Sequence, residues 1–139
     1  MPFREKTAWV SLIVTAAIWG NYFWKIWPDL SDGSLGMSAV DSFISAVVEL
    51  VILQIIIAIV LAIFSGKAAD APMDEREQLI DLKGMRAGFY ILNTALIVVS
   101  ALWVVGASAL TMANGILAAM VLAELLRAGW VIAGYRRGV

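Results

Sequence analysis

Four long apolar stretches, separated by short polar intervals, dominate the chain. They cover about residues 7–27, 42–65, 87–105 and 113–134. Each holds roughly the 20 residues that an α-helix, rising about 1.5 Å per residue, needs to cross a hydrocarbon layer about 30 Å thick. The intervals carry helix-boundary residues. Asp41 or Ser42 is suited to cap the second stretch, and Gly66 follows its last turn as a terminating glycine. Asn114 is the expected cap of the fourth. The pattern predicts an all-α integral membrane protein, a single membrane domain over residues 1–139. Short outer turns between successive stretches make it an antiparallel four-transmembrane-helix bundle.

The first stretch follows a charged start, as a cleaved leader would. Its far end, however, reads Asn21-Tyr22-Phe23-Trp24-Lys25-Ile26-Trp27, and a cleavage site requires small residues. It is expected to be retained as a helix. Arg4 and Lys6 precede it, Lys67, Arg76, Lys83 and Arg86 lie between the second and third stretches, and Arg136 and Arg137 follow the fourth. All eight fall on one side of a four-span path. The other side has Lys25, beside Asp29, Asp32 and Asp41. The positive-inside rule then puts both termini and the middle interval in the cytoplasm. Trp9 and Trp130 fall at the inner interface, and Trp24, Trp27 and Trp103 at the outer one, as interfacial aromatic belts require.

Composition narrows the function classes. Hydrophobic residues make up 62% of the chain and charged residues 15%, against about half and about a quarter in a soluble domain. The surplus apolar surface is expected to face lipid. A net charge of −1 cannot neutralise a run of phosphates, so nucleic acid is not an expected partner. The chain has no Cys and no His. Thiol redox chemistry, disulfides, His-ligated haem and the usual zinc and copper sites are excluded, as is the side chain most often used as a general base. No catalytic residue, metal site or cofactor is expected, and the chain is not read as an enzyme.

Residues 67–86 form the one polar stretch of any length. It opens on Asp74-Glu75-Arg76-Glu77, where Asp74 and Glu77 have capping-box spacing. Leu79, Ile80, Leu82 and Met85 are expected to form an apolar stripe on a short cytoplasmic helix that runs into the third span, with a bend at Gly84 or Gly88. Asp74, Glu75, Arg76, Glu77, Asp81 and Lys83 are the candidates for docking a partner, the alternative being a solvated connector on the membrane surface. The block from Asp74 to Tyr90, and the opening Phe3-Arg4-Glu5-Lys6-Thr7-Ala8-Trp9-Val10, resemble small four-helix bacterial membrane proteins of uncharacterised function with an Asp-Glu-Arg-Glu juxtamembrane motif. The resemblance implies a bacterial inner membrane. Such proteins are often encoded beside a small helix-turn-helix regulator, which points to sensing or regulation.

Polar side chains at membrane depth each need a reason. Asn21 and Glu49 fall at one level, with Lys25 a turn nearer the outer surface. Glu124 and Arg127 share a face of the fourth span, and Gln54 and Asn93 lie at similar levels. One reading makes Glu124 or Glu49 a proton or cation site. The other pairs Glu124 with Arg127 and Glu49 with Lys25, the amides tying helices together. An opposite charge within reach favours the ionised form of a carboxylate, which tilts the balance toward structure. Small residues recur at four-residue spacing in Ala16/Gly20, Ala58/Ala62/Gly66 and Gly115/Ala119/Ala123, a pattern that suits close helix packing within the bundle or between protomers.

The expected function is a non-enzymatic membrane protein with an accessory or regulatory role. Its expected partners are the lipid bilayer, further copies of the chain and a cytoplasmic or membrane protein. The rival is a small proton- or cation-coupled transporter or channel using Glu124, Arg127 and Glu49.

Overall fold

The computed structural model of the protein describes residues 3–66 and 72–137. Four helices make up almost all of it: α1 (Phe3–Asp32), α2 (Met37–Ser65), α3 (Glu75–Ala101) with a 3-10 turn (Leu102–Val105) at its end, and α4 (Ala109–Arg137). Among the described residues there is no strand. Three helices are long and apolar enough to cross a membrane: α2 over Met37–Phe64, α3 with its 3-10 turn over Glu75–Val105, and α4. In α1 the apolar run is interrupted by Trp9, Trp19, Asn21, Tyr22 and Trp24.

The helix ends lie where local hydrogen bonding puts them, and two expected caps move. α1 continues past Trp27 and through Pro28 to Asp32, even though proline removes one helical donor. Gly33, at φ +70°, then turns the chain, a backbone shape that costs glycine little. α2 begins at Met37, with Gly36 in the cap position. Asp41 and Ser42 therefore lie inside the helix, because the tight turn after α1 starts α2 earlier than its first polar pair. Gly66 ends α2 as expected, its N–H donating to the Ala62 carbonyl at 3.1 Å. α4 begins at Ala109, where the Ser108 hydroxyl accepts the Thr111 N–H at 3.2 Å. Ser108 thus does the capping, and Asn114 is left for another role inside the helix.

At the start of α3 the Asp74 carboxylate accepts the Glu77 N–H at 2.6 Å. The Glu77 side chain turns to other helices instead of back to the cap. The polar segment and the third apolar stretch are one continuous helix from Glu75. Lys67, counted toward the positive side, and the first residues of the polar segment lie outside the described residues.

Successive helices run antiparallel. α1 packs on α2 and on α4, and α3 packs on α4. α2 and α3 share no comparable contact, so the order across the molecule is α2, α1, α4, α3, with the two outer helices apart. The main apolar core lies between α1, α2 and α4, around buried Trp19, Tyr22, Ile26, Ala39 and Ala46. Trp19 meets Tyr22 edge to face, with ring centroids 5.6 Å apart, an arrangement that aromatic quadrupoles favour.

The α3–α4 contact is of another kind. A Cβ on Gly84 would stand 2.8 Å from Val131 Cγ2, and one on Gly88 would stand 3.2 Å from Arg127 Cβ and 3.4 Å from the Ala123 carbonyl oxygen. The two glycines serve close helix approach, in a small-xxx-small arrangement. They also set which face of α3 is covered. Ile80, Gly84 and Gly88 are buried, whereas Leu79, Leu82 and Met85 of the expected apolar stripe are exposed. Across from them Ala119 and Ala123 are buried and Gly115 meets Val99, so the fourth-span stripe packs within the chain. The Ala16/Gly20 and Ala58/Ala62/Gly66 stripes lie on exposed faces.

Candidate functional site

The candidate residues fall into three separate groups. In the first, Arg127 on α4 donates from Nε to Glu124 Oε2 at 3.0 Å and from Nη2 to Glu124 Oε1 at 2.7 Å. The i, i+3 spacing puts the two side chains on one face, and the planar guanidinium matches the carboxylate with two parallel bonds. Asp81 on α3 adds a second carboxylate, 3.8 Å from Arg127 Nη1. Gly84 and Gly88 make this possible, since the Arg127 stem lies against the α3 backbone at those positions. Asp81, expected as a docking residue, is thus held toward α4. Gln54 and Asn93 are not part of this group. Gln54 faces the α1–α2 seam, and the exposed Asn93 amide donates to the Phe89 carbonyl of its own helix at 2.8 Å.

The second group lies at the end of the α1–α2 pair near the connecting turn. Asn21, Lys25 and Glu49 do come together there, lining a cavity of about 190 Å³ with Asp41, Ser42 and Ser45. No ion pair joins Lys25 to Glu49 among the described residues, and both side chains are exposed in the isolated chain. The electrostatics of the two groups therefore differ: the Glu124 carboxylate accepts two charge-assisted bonds from Arg127, while Glu49 has no ion pair among the described residues.

The third group ties together the opposite ends of three helices. Arg4 Nε lies 3.5 Å from Glu77 Oε2, and the Tyr135 hydroxyl donates to Glu77 Oε1 at 3.4 Å. Arg76 donates to the Tyr135 carbonyl at 3.4 Å. Arg136 lies 3.9 Å from the buried Glu5 carboxylate and stacks its guanidinium over Trp9, 5.2 Å from the ring centroid, a cation–π contact. The start of α1, the start of α3 and the end of α4 form one polar pole. Of the docking candidates, Asp74 caps α3, Glu77 joins the network, Asp81 serves Arg127 and Arg76 bonds Tyr135. Glu75 and Lys83 remain exposed.

One contact escaped the sequence reading. The Tyr22 hydroxyl donates to Asn114 Oδ1 at 2.5 Å, a buried bond between α1 and α4. Asn114 also donates to the Leu110 carbonyl at 2.9 Å. The only sequence signal was the presence of one aromatic hydroxyl and one amide within apolar stretches. An apolar cavity of about 300 Å³, lined by Phe43, Ile116, Leu117 and Met120, opens beside this bond between α1, α2 and α4.

Compared with known protein families, with curated proteins and with solved structures, the chain matches none.

Proposed function

We propose that the protein is a non-enzymatic integral membrane protein of the bacterial inner membrane, crossing it four times with both termini in the cytoplasm. Its role is accessory or regulatory, toward a cytoplasmic or membrane protein partner. The observation that carries this reading is the polar pole, where Arg4, Glu77, Tyr135, Arg136 and Glu5 join three helices. Such a network makes the inner face a fixed surface instead of a set of loose ends, and fixed charge is what a docking partner reads for register. Three helices apolar enough to span a membrane support the location, as does the one-sided placement of Lys and Arg.

Glu75 and Lys83, exposed and outside these contacts, are the docking candidates left to meet a partner. Purification of the full chain in mild detergent, followed by mass spectrometry, tests the reading. A stoichiometric partner should accompany the wild-type chain and be lost on replacing Glu75 and Lys83 with alanine. A chain that purifies without any partner overturns the accessory role.

One observation favours the rival reading of a small cation- or proton-coupled transporter: Glu49 lines an open polar cavity without an ion pair. Glu124, bound by Arg127, is the weaker candidate for that task. On the transporter reading, Glu49→Gln abolishes flux in liposomes and Glu124→Gln does not. An absence of flux from the wild-type chain removes this rival.

A further inference from the structure

We propose that the apolar cavity between α1, α2 and α4 binds a small uncharged alcohol, a single hydroxyl on an apolar body, which enters sideways from the bilayer. The inference rests on the membrane-embedded reading above and adds a ligand class to it.

The cavity, of about 300 Å³, has a floor and a rim of different character. Tyr22, Ala39 and Asn114 line it and are buried, whereas Phe43, Ile116 and Met120 line it and are exposed. Its walls come from the first turns of α2 and α4, and α1 contributes Tyr22 alone. α1 packs on both of those helices, but α2 and α4 share no extensive contact with each other. The opening therefore lies between α2 and α4, on the side away from α1. On the membrane reading that side meets lipid in the outer half of the bilayer.

The polar groups of the floor are paired but not exhausted. The Tyr22 hydroxyl donates to Asn114 Oδ1, and Asn114 Nδ2 donates to the Leu110 carbonyl. A carboxamide has two N–H donors, and a phenolic oxygen accepts as well as donates. One Asn114 N–H and the Tyr22 lone pairs are therefore left over among the described residues. A single water, with a volume of about 30 Å³, would meet them but leave the apolar remainder empty. A phospholipid chain would fill that remainder but has no group for the floor, because its polar head stays at the surface. No charged side chain lines the cavity, so an ionised head would be buried unpaired at high cost. A neutral hydroxyl can accept from Asn114 and donate to the Tyr22 oxygen at once, while its apolar body lies between Phe43, Ile116 and Met120. The volume suits the smaller end of small-molecule sites.

The test uses the full chain in its membranes and a photoreactive octan-1-ol that carries a diazirine on its chain. After irradiation, peptide mass spectrometry should find saturable label on Phe43, Ile116 or Met120. Added octan-1-ol should displace it at a membrane concentration about tenfold lower than octane needs, the margin of one hydrogen bond to a buried group. In chains carrying both Tyr22→Phe and Asn114→Leu that margin should vanish. Replacing both partners of a buried bond by apolar groups of similar shape is close to neutral for stability, so the fold is kept. Ile116→Trp, at the exposed rim, should close the mouth and reduce the label on Phe43 about tenfold. Label that does not saturate, label of equal strength on the exposed Phe89 of α3, or label on Phe43 unaffected by Ile116→Trp overturns the site. Equal displacement by octane and octan-1-ol, or an unchanged margin in the double variant, means that the cavity holds hydrocarbon only and overturns the hydroxyl recognition. An alkaline wash of the membranes separates the two levels of inference. A chain that stays in the membrane without saturable label defeats the site alone, whereas a chain that washes off defeats the membrane reading and the sideways entry with it.

Discussion

The two hairpins of this protein have similar apolar content but are assembled on different principles. In the α3–α4 hairpin, glycines bring the backbones so close that an added Cβ would collide with the neighbouring helix. Within it Arg127 answers both Glu124 and Asp81. In the α1–α2 hairpin, Trp19, Tyr22 and Ile26 of α1 pack on Ala39 and Ala46 of α2, cavities line the seam, and the charged groups Lys25 and Glu49 are left without each other. Where lipid tails are as apolar as the side chains, burial of hydrocarbon drives little association, and close van der Waals contact and polar pairing do the work. By that measure the second hairpin is complete, while the first has polar capacity in reserve.

The largest expected effect tests the close approach. Gly84→Leu should separate α3 from α4 and destabilise the protein by about 3 kcal/mol through overpacking, seen as a lowered midpoint of thermal unfolding in detergent. An unchanged midpoint would mean that the glycines are not needed where they lie. Next comes the internal charge balance. Arg127→Met leaves two carboxylates facing each other without a cation and should cost about 2 kcal/mol, less than for a fully buried pair because the side chains are about a third exposed. The loss should shrink in Arg127→Met chains that also carry Glu124→Gln. The smallest effect belongs to the first hairpin. Gly20 has nothing within 4 Å of where its Cβ would be, so Gly20→Ala should be neutral or stabilising by about 0.5 kcal/mol, through reduced freedom of the unfolded chain. If Gly20→Ala and Gly84→Leu prove equally damaging, the two hairpins do not differ as described.

The four helices were legible because each apolar stretch is long and its breaks are marked by charge or glycine. Glu124–Arg127 was legible because a pair at i, i+3 is local. What sequence reading lost was information about faces and distant partners. Leu79, Ile80, Leu82 and Met85 were read as one apolar stripe, yet of the four only Ile80 is covered. On a helix of this composition the small residues Gly84 and Gly88 mark the packed face, and the large apolar ones mark the outside. Asn114 looked like a cap because asparagine favours helix ends, but Ser108 had already taken that position, and Tyr22 is too distant in sequence for any local pattern to couple the two. The juxtamembrane segment was legible only in its local part: capping-box spacing predicted the Asp74 cap, while the use of Glu77 by Arg4 and Tyr135 depends on three helix ends that meet only in the fold.

The bond between Tyr22 and Asn114 also has a temporal side. Its two ends are 92 residues apart in the chain, and a ribosome adding about 5–20 residues per second delivers the second roughly 5 to 20 seconds after the first. Throughout that interval the nascent α1 carries an aromatic hydroxyl whose final acceptor has not yet been made. The first hairpin is therefore completed only when the last helix arrives, and translation order makes α4 the piece that locks the earlier part of the chain into its final arrangement.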